Sequence, residues 1–138
     1  MMTIRRQEIV KLEDVLHLYQ AVGWTNYTHQ PEMLEHALSH SLVIYLALDG
    51  DAVVGLIRLV GDGFSSVFVQ DLIVLPIYQR QGIGSALMKE ALKDYKDAYQ
   101  VQLVTEETEK NVGFYRSMGF EILSTYNCIG MTWMNREK

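Results

Sequence analysis

The sequence predicts an α/β fold (α+β by element order), with a mixed central sheet of about six or seven strands flanked by about four helices. Three observations carry this. Apolar residues recur at helical spacing near the start and then switch to continuous and alternating runs. A strand, a glycine loop and a helix follow one another from Ser66 to Tyr95. The strand–helix–strand–helix order at the centre of the chain implies some parallel pairing.

"TIRRQEIV" reads as the first strand. "KLEDVLHLYQAVG" places Leu12, Val15, Leu16 and Tyr19 on one helical face and stops at Gly23. "PEMLEHALSH" is a second helix, with Pro31 in its first turn and Met33, Leu34, Ala37 and Leu38 on one side. "SLVIYLALDGDAVVGLIRLVG" is two strands around Asp49-Gly50-Asp51, a hairpin signal. "SVFVQDLIVL" is a β-branched strand ended by Pro76. A helix runs from about Gly82 to Tyr95, its face formed by Ile83, Leu87, Met88, Ala91, Leu92 and Tyr95. "AYQVQLVTE" is a strand, and "EKNVGFYRSMG" a short helix closed by Gly119. "FEILSTY" and "CIGMTWM" read as two final strands.

At 138 residues the chain is the size of one domain, 1–138, with no linker or repeat to divide it. Its net charge of −5 argues against general nucleic-acid binding, which needs a basic field. No apolar run reaches the length of a membrane span and the N-terminus has no signal core, so a cytoplasmic protein is expected. His17, His29, His36 and His40 show no metal-ligand spacing, so no metal is expected. Cys128 has no second cysteine to pair with and no histidine beside it, and is expected as a buried or partly buried structural thiol.

"QRQGIG" between a strand and a helix has the layout in which free amides and the helix dipole receive an anion. A P-loop needs Gly-Lys and then Ser or Thr, whereas Ser85 and Ala86 follow Gly84 here. A dinucleotide loop needs a third small residue where Leu87 stands, and an acidic residue where Val101, Gln102 and Leu103 stand. The loop is instead similar to the Q/R-x-x-G-x-G/A loop of the GNAT superfamily of N-acetyltransferases. "DLIVLPIYQRQGIGSALM" resembles that family's central strand–loop–helix motif, and "EKNVGFYRSMGF" its second motif, on the next helix. Together the two motifs and the strand between them cover about half of the chain; the N-terminal helices match in pattern only.

The resemblance implies acetyl-CoA as acyl donor, with the amides of Gln81, Gly82, Ile83, Gly84 and Ser85 around its pyrophosphate and Gln79 and Arg80 flanking it. Leu72, Ile73 and Val74 would lie beside the pantetheine arm, on a strand splayed from its neighbour, with their side chains in the core. One of their amides would steady the oxyanion. Tyr115 matches the family's catalytic tyrosine, a general acid for the departing thiolate. Asn111 matches a coenzyme contact and is also placed like a helix cap. Asp71 and Glu106, near the ends of the splayed strands, are the candidate bases. Trp24, Tyr27 and His29 would border an acceptor pocket whose aromatic and acidic character suits a cationic amine.

The implied activity is direct acetyl transfer to a primary amine of a small molecule. Two alternatives stand beside it: a non-catalytic acyl-CoA-binding or regulatory module on the same fold, and a protein or peptide N-acetyltransferase. No nucleic-acid or membrane partner is expected. A homodimer is expected, with the strands from Phe120 to Met134 exchanging or pairing between subunits.

Overall fold

The computed structural model describes residues 1–134. The chain divides into two compact units, Met1–Leu103 and Val104–Lys138, described here in turn.

The first unit holds a sheet of five strands in sequence order: β1 (Met2–Gln7), β2 (Val43–Asp49), β3 (Ala52–Gly61), β4 (Ser66–Val74) and β5 (Gln100–Leu103). The first three junctions are antiparallel, and β4–β5 is the parallel pair expected from the alternating centre. Asp49 pairs with Ala52, so Gly50 and Asp51 form the two-residue hairpin turn that the Asp-Gly signal required. The helices are α1 (Leu12–Ala21), α2 (Thr25–Thr28), α3 (Pro31–Ser39) and α4 (Ile83–Asp94). The single turn α2 was not foreseen. Pro31 sits in the first turn of α3, where its missing N–H leaves no bond unmade.

The sheet is covered on both faces. Val15, Leu18 and Tyr19 of α1, Tyr27 of α2 and Leu34 and Leu38 of α3 pack with Ile44, Leu46, Leu48, Leu56 and Ile73. On the opposite face lies α4, burying Ile83, Leu87, Met88 and Ala91. Gly55 of β3 faces α4. A Cβ there would lie 2.9 Å from the Ile73 carbonyl oxygen and 3.4 Å from Leu87 Cδ1, so only glycine admits both neighbours. The far end of α4 is tied to the sheet by polar contacts. Tyr45 donates to Asp94 at 2.5 Å, and Arg6 donates to Asp94 at 3.0 Å and to Tyr95 at 3.3 Å.

The second unit contains α5 (Glu109–Ser117) and a short 3₁₀ turn, Leu123–Tyr126. Gly119, at φ 98°, follows the last turn of α5 in the position foreseen for it. Two expectations fail here. The segment read as strand "FEILSTY" turns into the 3₁₀ helix, closed by Asn127 in the left-handed region at φ 60°. The segment read as "CIGMTWM" forms no regular structure, so the sheet has five strands among the described residues. A strand needs a neighbour to receive its alternate backbone groups, and residues 128–134 show none. Cys128 is consequently exposed instead of buried, with Ile129, Met131 and Trp133 exposed beside it.

Two outcomes follow from this packing. Gly55→Ala forces a shift against backbone and is expected to lower stability by about 1–3 kcal/mol in chemical denaturation. The hydrogen bond from Tyr45, with the one from Arg6, holds the Asp94 carboxyl below its ordinary 3.8. A depressed carboxylate stabilises the fold above its unfolded pKa and loses that effect as pH falls through the folded one. The margin of the native chain over Asp94→Asn, under about 1 kcal/mol for so exposed a pair, is therefore full near neutral pH. It is expected to close below pH 3.8 in denaturation curves taken across pH.

Candidate functional site

β4 is paired along its length with β3 but only partly with β5. The parallel ladder runs from Ser66–Gln100 to Val69–Leu103 and stops, while the β3 ladder continues to Val74. Beyond Val69 one edge of β4 therefore has no strand paired to it among the described residues, and is called its open edge below. The Leu75 amide donates to the Val54 carbonyl on β3. Backbone groups alternate in direction along a strand, so those of Ile73 face β3 and those of Leu72 and Val74 face the open edge. The Val74 carbonyl accepts there from Gln79 Nε2 at 3.1 Å. Ile73 is buried, but Leu72 and Val74 are only partly so, not core residues as expected.

Pro76 ends the strand in a 3₁₀ turn, Pro76–Tyr78, and the glycine loop follows. Gln81 Nε2 donates to the Ile77 carbonyl at 3.4 Å, so the side chains of Gln79 and Gln81 both brace the loop. Arg80 is exposed and stands in the left-handed region at φ 64°, unusual for a residue with a Cβ. Gly82, at φ 81°, is the N-cap of α4, where a Cβ would meet nothing within 4 Å. A glycine at the cap leaves no side chain to accept from the first turn. The amides of Ile83, Gly84 and Ser85 thus have no acceptor, and those of Arg80, Gln81 and Gly82 donate to none among the described residues. A run of free amides at the positive end of a 12-residue helix, with open space above the cap, fits a phosphate-bearing ligand.

Asp71, expected as a base, occupies a different setting. Its residue is 2% exposed, and its carboxylate accepts from Arg58 Nε at 2.7 Å, Tyr19 Oη at 2.8 Å and Tyr27 Oη at 3.0 Å. Arg58 also donates to Ser41 Oγ and to Tyr27 Oη, both at 3.2 Å. Burial and then the Asp71 charge push both tyrosine hydroxyls above their usual pKa, so they stay protonated as donors. A carboxylate already holding three donors has little capacity to collect a substrate proton. The aromatic and acidic pocket expected for a cationic amine is likewise filled from within. Tyr27 has Arg58 within 6.0 Å of its ring centre, and Trp24 packs against Tyr19 and Tyr27, with centroids 6.1 and 6.3 Å away. His29 is exposed.

In the second unit Thr108, not Asn111, caps α5: its Oγ1 accepts from the Asn111 amide at 3.1 Å. Asn111 Nδ2 donates to the Glu106 carbonyl at 3.1 Å, and the Glu106 side chain is exposed. Tyr115 packs edge-on against Phe114 and Phe120, at 5.0 and 6.0 Å. Burial raises its pKa. A phenol so placed keeps its proton at neutral pH, as a proton donor must.

Sequence reasoning passed over Arg58 and read Tyr19 only as an apolar-face residue. The usable signal was a single arginine inside "VVGLIRLVG", because a charge in an otherwise apolar strand requires a buried partner.

Comparison with known proteins bears directly on this geometry. Residues 40–122, more than half of the chain, match the family model described as an acetyltransferase (GNAT) domain. A GNAT-family acetyltransferase from Streptococcus pneumoniae TIGR4 has a similar solved structure, with 85% identity, a TM-score of 0.91 and coverage of 99% of both chains. Serotonin N-acetyltransferase 2, chloroplastic, from rice (Oryza sativa subsp. japonica) is 33% identical over 66% of this chain, which spans about half (48%) of that relative's length. PaiA N-acetyltransferase from Thermoplasma acidophilum, solved in complex with coenzyme A, shares the fold at 18% identity. Its TM-score is 0.68, over 87% of this chain and 91% of its own. The open edge of β4, the uncapped glycine loop and the matched family model agree: the chain belongs to the GNAT family of acetyltransferases.

Proposed function

We propose that the chain is an acetyl-CoA-dependent N-acetyltransferase that passes acetyl directly to the primary amine of a small molecule. The observation that carries this reading is the unbroken run of free amides from Arg80 to Ser85, lying next in sequence to the open edge of β4. The amides of Gln81 to Ser85 would hold the pyrophosphate. The outward groups of Leu72 and Val74 would pair with the amide-bearing arm, as an added strand would. Ile73 contributes through its place in the core, since its backbone faces β3. Acetyl-CoA supplies the activated acyl group; the chain's own residues bind, orient and move protons.

Tyr115 is assigned as the general acid that protonates the departing thiolate. Of the two carboxylates considered as base, Glu106 is retained because it is exposed, and Asp71 is assigned a structural role by its three donors. Asn111 would contact the coenzyme through its side-chain oxygen, its nitrogen being bonded to Glu106. Support for a small amine comes from the rice relative, whose name carries serotonin, and support for the coenzyme from the complex of the Thermoplasma protein. The reading treats residues 1–138 as one domain, places it in the cytoplasm, in line with the single cysteine, and includes a homodimer. The exposed Ile129, Met131 and Trp133 favour a second copy as cover.

Thiol release from acetyl-CoA across a panel of amines tests the activity. Tyr115→Phe is expected to lower kcat about 100-fold or more while leaving acetyl-CoA affinity nearly unchanged. Binding without turnover on any amine would replace the enzyme with an acyl-CoA-binding module. For the loop, Gly82→Asp sets a carboxylate beside the pyrophosphate, whereas Gly82→Asn makes the same backbone demand without the charge. Calorimetry is expected to find acetyl-CoA binding to the Asp variant weaker than to the Asn variant by about tenfold or more. Equal affinity in the two would remove the loop from the binding site.

A further inference from the structure

The β3–β4 ladder contains an irregularity at one point. Arg58 is opposite Asp71 and Leu59 opposite Val69, so Gln70 is an extra residue, a one-residue bulge. Directly opposed residues share a face of the sheet, and consecutive residues take opposite faces. Arg58 and Leu59 therefore face opposite ways, and so must Asp71 and Val69, although they are two apart. The bulge inverts β4. It is what turns Asp71 toward Tyr19 and Tyr27, away from the face covered by Leu87 and Met88 of α4. The parallel ladder with β5 ends at Val69, one residue before the bulge.

Removing the bulge by a one-residue slip of β4 would have two effects. Asp71 would swing opposite Ile57, onto the apolar α4 face, with no donor in place for its charge. The outward-facing backbone groups would change from Leu72 and Val74 to Asp71 and Ile73. The second effect matters for any ligand that reads the open edge.

We propose that Arg58 and Asp71 form a register lock and act as positioning residues for the acyl donor. The buried pair makes the slipped register costly and so fixes which amides β4 presents. The 2.7 Å contact between the cross-strand partners holds the bulge, and the two tyrosine hydroxyls from α1 and α2 fill acceptor sites left on the same carboxylate. This inference rests on the proposed use of the β4 edge by acetyl-CoA, but the lock itself is testable without ligand.

The test is residue-resolved amide exchange on the full chain, with acetyl-CoA affinity measured in parallel. In the native chain, Leu72 and Val74 are expected to exchange fast and Ile73 slowly. Asp71→Asn leaves Arg58 unpaired and risks unfolding. The decisive variant is therefore Arg58→Met, Asp71→Leu, Tyr19→Phe and Tyr27→Phe together, which replaces every partner by an apolar group of similar size. Tyr19→Phe with Tyr27→Phe, keeping the ion pair, is the reference. The fourfold variant is expected to fold, to lose the fast–slow–fast alternation at residues 72–74, and to bind acetyl-CoA about tenfold more weakly, equivalent to two lost hydrogen bonds. The reference is expected to keep both. A folded fourfold variant that retains the alternation would overturn the lock, as would failure of the reference to keep it. If the native chain binds no acetyl-CoA, the coenzyme reading falls and the exchange pattern alone decides the lock.

Discussion

The buried ion pair between Arg58 and Asp71 is the contact on which the first unit turns. It joins two neighbouring strands, and through the hydroxyls of Tyr19 and Tyr27 it fastens two helices to the same point of the sheet. Ser41, at the entry to β2, completes the guanidinium's partners. A pair this deeply buried contributes little net stability, because desolvation cancels much of the attraction. Breaking it is a different matter, since an orphaned charge would be left 4% or 2% exposed. Its worth lies in excluding other arrangements, among them the slipped register of β4.

The functional surface differs in kind from that cluster. Where the cluster satisfies every polar atom, the loop and the adjoining edge leave polar atoms unsatisfied in a row. Gly82 withholds a cap from α4, and β5 ends at Leu103, opposite Val69. Both features expose backbone donors that a folded chain would ordinarily use itself. The other end of α4 is held by Asp94, Tyr45 and Arg6, so the helix is anchored at the end away from its free amides. Fully bonded interior and unbonded rim thus divide the work: one sets position, the other offers bonds.

Much of this was legible in the sequence, and the reasons are local. The turn at Gly50, the stop at Pro76, the start of α4 and the end of α5 follow from what glycine and proline permit at single positions. "QRQGIG" is informative for the same cause: a loop's free amides depend on its own residues. The part that was not legible depends on pairing at a distance. Asp71 read as a candidate base near a strand end because nothing near it in sequence reveals Arg58, Tyr19 or Tyr27. A one-residue bulge leaves no mark in "SVFVQDLIV", where the odd positions stay buried through the inversion. The tail failed similarly: "CIGMTWM" has strand composition, but a strand is a relation between two segments, and none pairs with it among the described residues.

The most direct measurement is a titration of acetyl-CoA into the isotopically labelled full chain, following every backbone amide resonance. The largest shifts are expected at Leu72 and Val74 and from Gln81 to Ser85, with Ile73 much less affected. Saturable binding that leaves Gln81–Ser85 unmoved, or no binding at all, would contradict the assignment of this loop and edge to the coenzyme.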